Sequence, residues 1–173
     1  MTRFLFLLLL LAPLGVQAIP PLPEAVIGKS PELRPVGEGR LRWLGLHIYD
    51  AALWTGESAV SMQDEFALDI RYARNIPARR LVGISVREMR RLGFGDSQQR
   101  EQWSREMARV FPDIAKGDRL TGVNRPDVGA EFYHNGRFVG VVSDPGFSDA
   151  FFSIWLDPRT REPGLRESLI GRN

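Results

Sequence analysis

The order of local patterns along the chain predicts an α+β domain in which an antiparallel sheet is covered by helices. Strand-like and helical segments come in runs rather than in strict alternation: strands, two helices, more strands, then two more helices. A second observation is the dipeptide Asn135-Gly136 between two apolar runs, which suits the left-handed angles of a two-residue hairpin turn. A third is the stretch 145–156, apolar on nearly every side, as a helix buried against a sheet would be.

Residues 19–35 are punctuated by Pro20, Pro21, Pro23, Pro31 and Pro35 and read as a partly ordered N-terminal arm, with Ala25 to Ile27 as a short edge strand. The organising stretch is 37–54, GEGRLRWLGLHIYDAALW, a strand-like run apolar on both parities that breaks into a hairpin near Gly45 and ends at Thr55-Gly56. In 65–72, Phe66, Leu68, Ile70 and Tyr72 alternate with Asp69 and Arg71, the mark of a half-buried strand. The period then changes. Val82, Val86, Met89 and Gly93 recur at helical spacing over 77–92, and Gly93 and Gly95 end that helix. Ser97 is placed to cap a second helix with Trp103, Met107 and Val110 as its apolar stripe. Strand character returns at 118–124 and on both sides of Asn135-Gly136. Asp144-Pro145 opens the third helix, Asp157-Pro158 closes it, and a last helix begins near Pro163.

At 173 residues the chain suits one domain, which buries enough surface to fold without cross-links. It has no cysteine, so disulfides, thiolate catalysis and cysteine metal sites are not expected. The first 18 residues combine Arg3, an apolar block over 4–12 and the ending Val16-Gln17-Ala18. That is the pattern of a secretory signal peptide cut after Ala18, with a block too short for a spanning helix of ~20 residues. The expected layout is signal peptide 1–18, arm 19–35 and domain 36–173, in a periplasmic or secreted protein with no stable membrane anchor. Net charge is only +2, and lysine occurs only at Lys29 and Lys116. The pairs Arg79-Arg80 and Arg90-Arg91 sit among acidic neighbours, so they read as a solvated helix face and not as a nucleic-acid surface.

Chemistry is sparse. His47 and His134 stand far apart with no carboxylates at ligand spacing, so no metal site is expected. No serine lies in a nucleophile elbow, and Gly93-Phe94-Gly95 follows a helix rather than a strand, unlike a phosphate or dinucleotide loop. What remains is Arg40 with Tyr49, a fixed cation and a phenol that together can hold a carboxylate or an enolate. Spacing alone favours the plainer reading of a surface arginine and a core tyrosine. Nine residues apart, they fall on opposite faces of an ideal strand, and a bulge or corner is needed to bring them together.

The ordered set GEGRLRWLGLHIYDAALW, FALDIRYARNI, KGDRLTGV, FYHNGRFVGVVSDPGFSDAFFSIWLDP and LRESLIG resembles the chalcone isomerase-like family in a bacterial, exported form, over most of 36–171. The resemblance implies a chalcone isomerase-like fold, a curved antiparallel sheet packed on a layer of helices with a ligand cleft between them. Plant enzymes of the family close a flavanone ring by intramolecular addition, while non-enzymatic members bind fatty acids through an arginine and a tyrosine. By that resemblance Arg40 matches the arginine after the glycine pair, Tyr49 the strand position used by the fatty-acid binders, and Ser153 a hydroxyl-bearing helix position lining the enzyme cleft. The stretch ARRLVGISVREMRRLG lacks the Tyr, Lys and Asn that the enzymes place on their middle helices.

The expectation is therefore a non-catalytic binding domain without a cofactor, holding a small amphipathic acid such as a fatty acid. Arg40, Tyr49 and Ser153 are its ligand-binding residues, and no catalytic or metal residues are assigned. The alternatives are an intramolecular lyase acting on a phenolic or enone substrate, and a structural envelope protein with a vestigial cleft.

Overall fold

The computed structural model describes residues 21–172. The expected signal peptide, 1–18, lies outside the described residues. The described chain runs α1 (Glu24–Ile27), β1 (Arg34–Trp43), β2 (Leu46–Thr55), β3 (Phe66–Tyr72), α2 (Ala78–Leu92), α3 (Ser97–Val110), β4 (Arg119–Arg125), β5 (Gly129–His134), β6 (Arg137–Val142), α4 (Pro145–Leu156) and α5 (Pro163–Leu169). The six strands form one curved antiparallel sheet in chain order, β1-β2-β3-β4-β5-β6. The α+β expectation holds.

Turn chemistry places the hairpins. Leu44 and Gly45 have φ of 49° and 77°, and Asn135 and Gly136 have 49° and 81°, so both two-residue turns use left-handed backbone. Helix ends are equally specific. Gly93, at φ 90°, stops α2 with its N–H bonded back to Arg90. The cap of α3 is Asp96, not Ser97: its side chain accepts from the Gln99 N–H while the Gln99 side chain accepts from the Asp96 N–H. A carboxylate one residue earlier outcompetes the hydroxyl because only Asp96 keeps the extended backbone of a cap. Asp144 caps α4 through the N–H groups of Gly146 and Phe147, and also accepts from Trp103 Nε1 at 2.7 Å, tying α4 to α3.

Both faces of the sheet are covered. On one lie the helices, with Phe66, Leu68, Ile70, Phe132, Phe147, Phe151 and Phe152 in a buried aromatic and aliphatic core. On the other, Leu22, Val26 and Leu33 of the arm pack on Ala52, Trp54, Ala67, Val123 and Tyr133. This corrects the expected edge strand at Ala25 to Ile27. Those residues form α1, a single helical turn in which the Ile27 N–H bonds the Pro23 carbonyl and the Gly28 N–H the Glu24 carbonyl, with Val26 buried against the sheet. Arg119 fastens the arm: it bonds buried Asp69 at 2.7 Å and the Pro21 carbonyl at 2.6 Å.

The glycine pair opening the organising stretch has a packing cause. Gly37 and Gly39 face α5, and a Cβ on Gly37 would land on the Ser168 carbonyl, while one on Gly39 would come 2.6 Å from Leu165 Cδ1. Only bare backbone lets α5 seat this closely on β1. Gly37→Ala should therefore lower stability by about 2 kcal/mol and the melting midpoint by roughly 4–8 °C. A thermal melt followed by circular dichroism checks it.

Candidate functional site

Between the helix-covered face of the sheet and helices α2 and α4 the core is not filled. A cavity of about 230 Å³ remains there. Strands β1 to β3 contribute Leu41, Tyr49, Leu68, Ile70 and Tyr72 to its wall, α2 contributes Leu81, Ile84, Ser85 and Glu88, and α4 contributes Phe151, Ile154 and Trp155. Gly122 of β4 adds room: a side chain there would press on the rings of Phe152 and Phe132. The segment after α4 supplies Thr160, Arg161 and Glu162.

The polar equipment is short and specific. Trp155 Nε1 donates to the Tyr49 hydroxyl oxygen at 2.8 Å, which leaves the phenol proton of Tyr49 uncommitted. Tyr72 stands beside it, ring centroids 5.9 Å apart in an edge-on pair, and its hydroxyl has no hydrogen-bond partner among the described residues. Burial pushes both phenols well above their ordinary range, so both are neutral donors and neither can serve as a base near neutral pH. Arg161, 67% exposed, pairs with Glu88 at 3.0 Å, and Glu88 is also held by Arg91 at 2.7 Å. Thr160 donates to the Ile154 carbonyl, fixing the loop to the end of α4.

Of the residues singled out in the sequence, the structure brings Tyr49 to this cavity. Arg40 lies on the opposite face of the sheet, its Nε 2.6 Å from Asp50 Oδ1, and it does not line the cavity. The cause is a bulge. From the turn, Trp43 pairs with Leu46 and Arg42 with His47; continued without interruption, that register would set Arg40 directly across from Tyr49 on one face. An irregularity between Leu41 and Arg42 shifts it by one, so Leu41 meets Tyr49 and Arg40 meets Asp50. The bulge separates the pair instead of joining it. Ser153 is buried within α4, 6% exposed, and is not among the lining residues.

A chalcone isomerase-like family model matches residues 22–171. The chain belongs to the chalcone isomerase-like family. It is 27% identical over 141 residues to an uncharacterised protein of Haemophilus influenzae, covering 80% of this chain and 68% of that one. Its fold is similar to the crystal structure of an Arabidopsis thaliana fatty-acid binding protein, with a TM-score of 0.63 and 11% identity over 81% of this chain and 87% of that one.

Within this chalcone isomerase-like domain, the third predicted helix, α4, supplies Phe151, Ile154 and Trp155 to the wall, while Tyr72 and Arg161 are lining residues that sequence reasoning did not single out. The hairpin register could have found Tyr72, since it ends β3 directly opposite Tyr49. Nothing local marks Arg161, which reaches the cavity through the packing of the loop after α4.

The phenols give a pH signature. Tyr133 is also shifted upward, chiefly by burial and by its bond to Glu131, so all three tyrosines of the chain lie above the usual value of about 10. A raised folded-state pKa means that the stability these groups contribute is fully present below the unfolded value and is lost as pH climbs through and beyond it. An absorbance titration of phenolate should show little ionisation at pH 10 in the folded protein. Unfolding at that pH should release the phenolate signal.

Proposed function

We propose that the protein is a non-catalytic binder of a small amphipathic acid, a medium-chain fatty acid being the best fit. The carrying observation is the apolar cavity with an uncommitted phenol proton on Tyr49. The volume is below the ~300–1,000 Å³ of pockets for drug-sized ligands, which favours a medium chain over a long one. The aromatic walls suit the tail. The headgroup meets Tyr49, whose hydroxyl is oriented by Trp155, and Tyr72 offers a second donor. Arg161 supplies the positive charge from the rim, because releasing it to a ligand still leaves Glu88 neutralised by Arg91. The fold shared with a fatty-acid binding protein supports this reading.

Turnover has less to work with. Helix α2 gives the cavity Leu81, Ile84, Ser85 and Glu88, and the single ionisable group among them is held by two guanidiniums. In this reading Arg40 acts from outside the cavity by pairing β1 to β2 through Asp50, and Ser153 backs the wall from within α4. The N-terminal pattern supports action outside the cytoplasm, on lipid or acid of the cell envelope.

Calorimetric titration with decanoate and with decanol tests the assignment. Tyr49→Phe should weaken decanoate binding about tenfold, the loss expected of one hydrogen bond to a charged group. Arg161→Ala should weaken decanoate by roughly threefold to tenfold and leave decanol unchanged, as befits a charge at a partly exposed rim. Arg40→Ala should stay within about twofold of the wild type. Failure of the unaltered protein to bind either compound, or loss of binding in Arg40→Ala alone, would overturn the assignment.

A further inference from the structure

The β1–β2 hairpin ends in an apolar tip that the fold does not use. Trp43 is 60% exposed, Leu44 81% and Leu46 49%, three large side chains contiguous around one turn. The turn itself is chosen against local preference. Leu44 sits at φ 49°, a left-handed position that a leucine adopts at a cost of roughly 1–2 kcal/mol and that asparagine or glycine fills more readily. The other two-residue hairpin in the sheet puts asparagine at the same place. A strained, exposed leucine is the kind of outlier that points to function.

Around the base of the tip stand three cations, while the one carboxylate beside His47, Asp50, is taken up by Arg40. Arg42 bonds only the Gly45 carbonyl, at 3.4 Å, and Arg74 only the His47 carbonyl, at 3.1 Å. Lys116 lines a surface hollow with His47, Arg74 and Asn75. None of these three cations forms an ion pair among the described residues, in contrast to Arg40, which Asp50 neutralises. A tryptophan and two leucines at the point, ringed by unneutralised arginine and lysine, match the interface of an anionic bilayer: the ring and aliphatic groups enter the headgroup boundary and the cations meet lipid phosphates.

We infer that this hairpin docks the protein reversibly on an anionic phospholipid surface, with Trp43, Leu44 and Leu46 inserted and Arg42, Arg74 and Lys116 as the electrostatic collar. Leu41 and Ile48, in the stem of the same hairpin, line the cavity, so docking brings one cavity wall towards the bilayer. The docking itself does not depend on what the cavity holds.

Co-sedimentation with vesicles of phosphatidylcholine alone, and of an equimolar mixture with phosphatidylglycerol, tests it. The protein should bind the mixed vesicles at low salt, with a blue shift of tryptophan emission, and release them as salt is raised. Arg42→Ala and Arg74→Ala should each weaken partition roughly fivefold. Leu44→Asn is the sharper variant: it should weaken partition about tenfold while leaving the melting midpoint unchanged or higher, because asparagine suits the turn. Three outcomes would overturn the inference: no partition into the mixed vesicles at low salt, equal partition by Leu44→Asn and the unaltered protein, or a dimer in lipid-free solution that Leu44→Asn dissolves.

Discussion

The seating of α5 on the bare backbone of Gly37 and Gly39 is the contact on which the rest of the functional face depends. Because α5 lies so close to β1, Leu165 reaches the cavity wall and Arg166 reaches the Leu156 carbonyl at 2.7 Å. That bond, with the Thr160 bond to Ile154, fixes the loop that carries Arg161 and Glu162. It also fixes the end of α4, where Trp155 holds the Tyr49 hydroxyl. One close approach thus sets the position of the rim and of the phenol behind it. A side chain at either glycine would lift α5 and loosen both.

The two faces of the sheet divide the labour. The arm side is closed by apolar contacts and by the buried Asp69, bound by Arg119 and by the Thr121 hydroxyl at 2.6 Å. The helix side is packed at the Phe132–Phe147–Phe151 cluster and left open towards β1 to β3, where Gly122 contributes no side chain. A core that is well packed at one end can keep a void at the other without collapsing, since the aromatic edge contacts brace its walls. Neutral phenols inside such a void cost less to bury than charged groups would and are still able to donate.

Much of the fold was legible from local chemistry: the hairpin break near Gly45, the Asn135-Gly136 turn, the Asp144 cap and the apolar α4 all follow from residue type and spacing. The prolines of the arm suggest an extended edge, whereas the single turn of α1 is held by burial of Val26 against the sheet beneath it, which no local pattern announces. Tyr49 was legible as a candidate since a phenol stood in an otherwise apolar run. The separation of Arg40 from Tyr49 was not, because it turns on a one-residue shift between Leu41 and Arg42 that no composition announces. The cavity is a property of packing, and its Trp155 and Arg161 looked in sequence like a core residue and a solvated charge.

The central claim is that an amphipathic acid enters the cavity and takes the hydrogen bond offered by Tyr49 behind Trp155. The most direct measurement is the set of four tryptophan indole N–H resonances during titration with decanoate in lipid-free buffer. The Trp155 resonance should move and saturate while that of buried Trp103, bound to Asp144, stays in place. A titration that leaves Trp155 unmoved, or that moves only Trp43 at the hairpin tip, would contradict it.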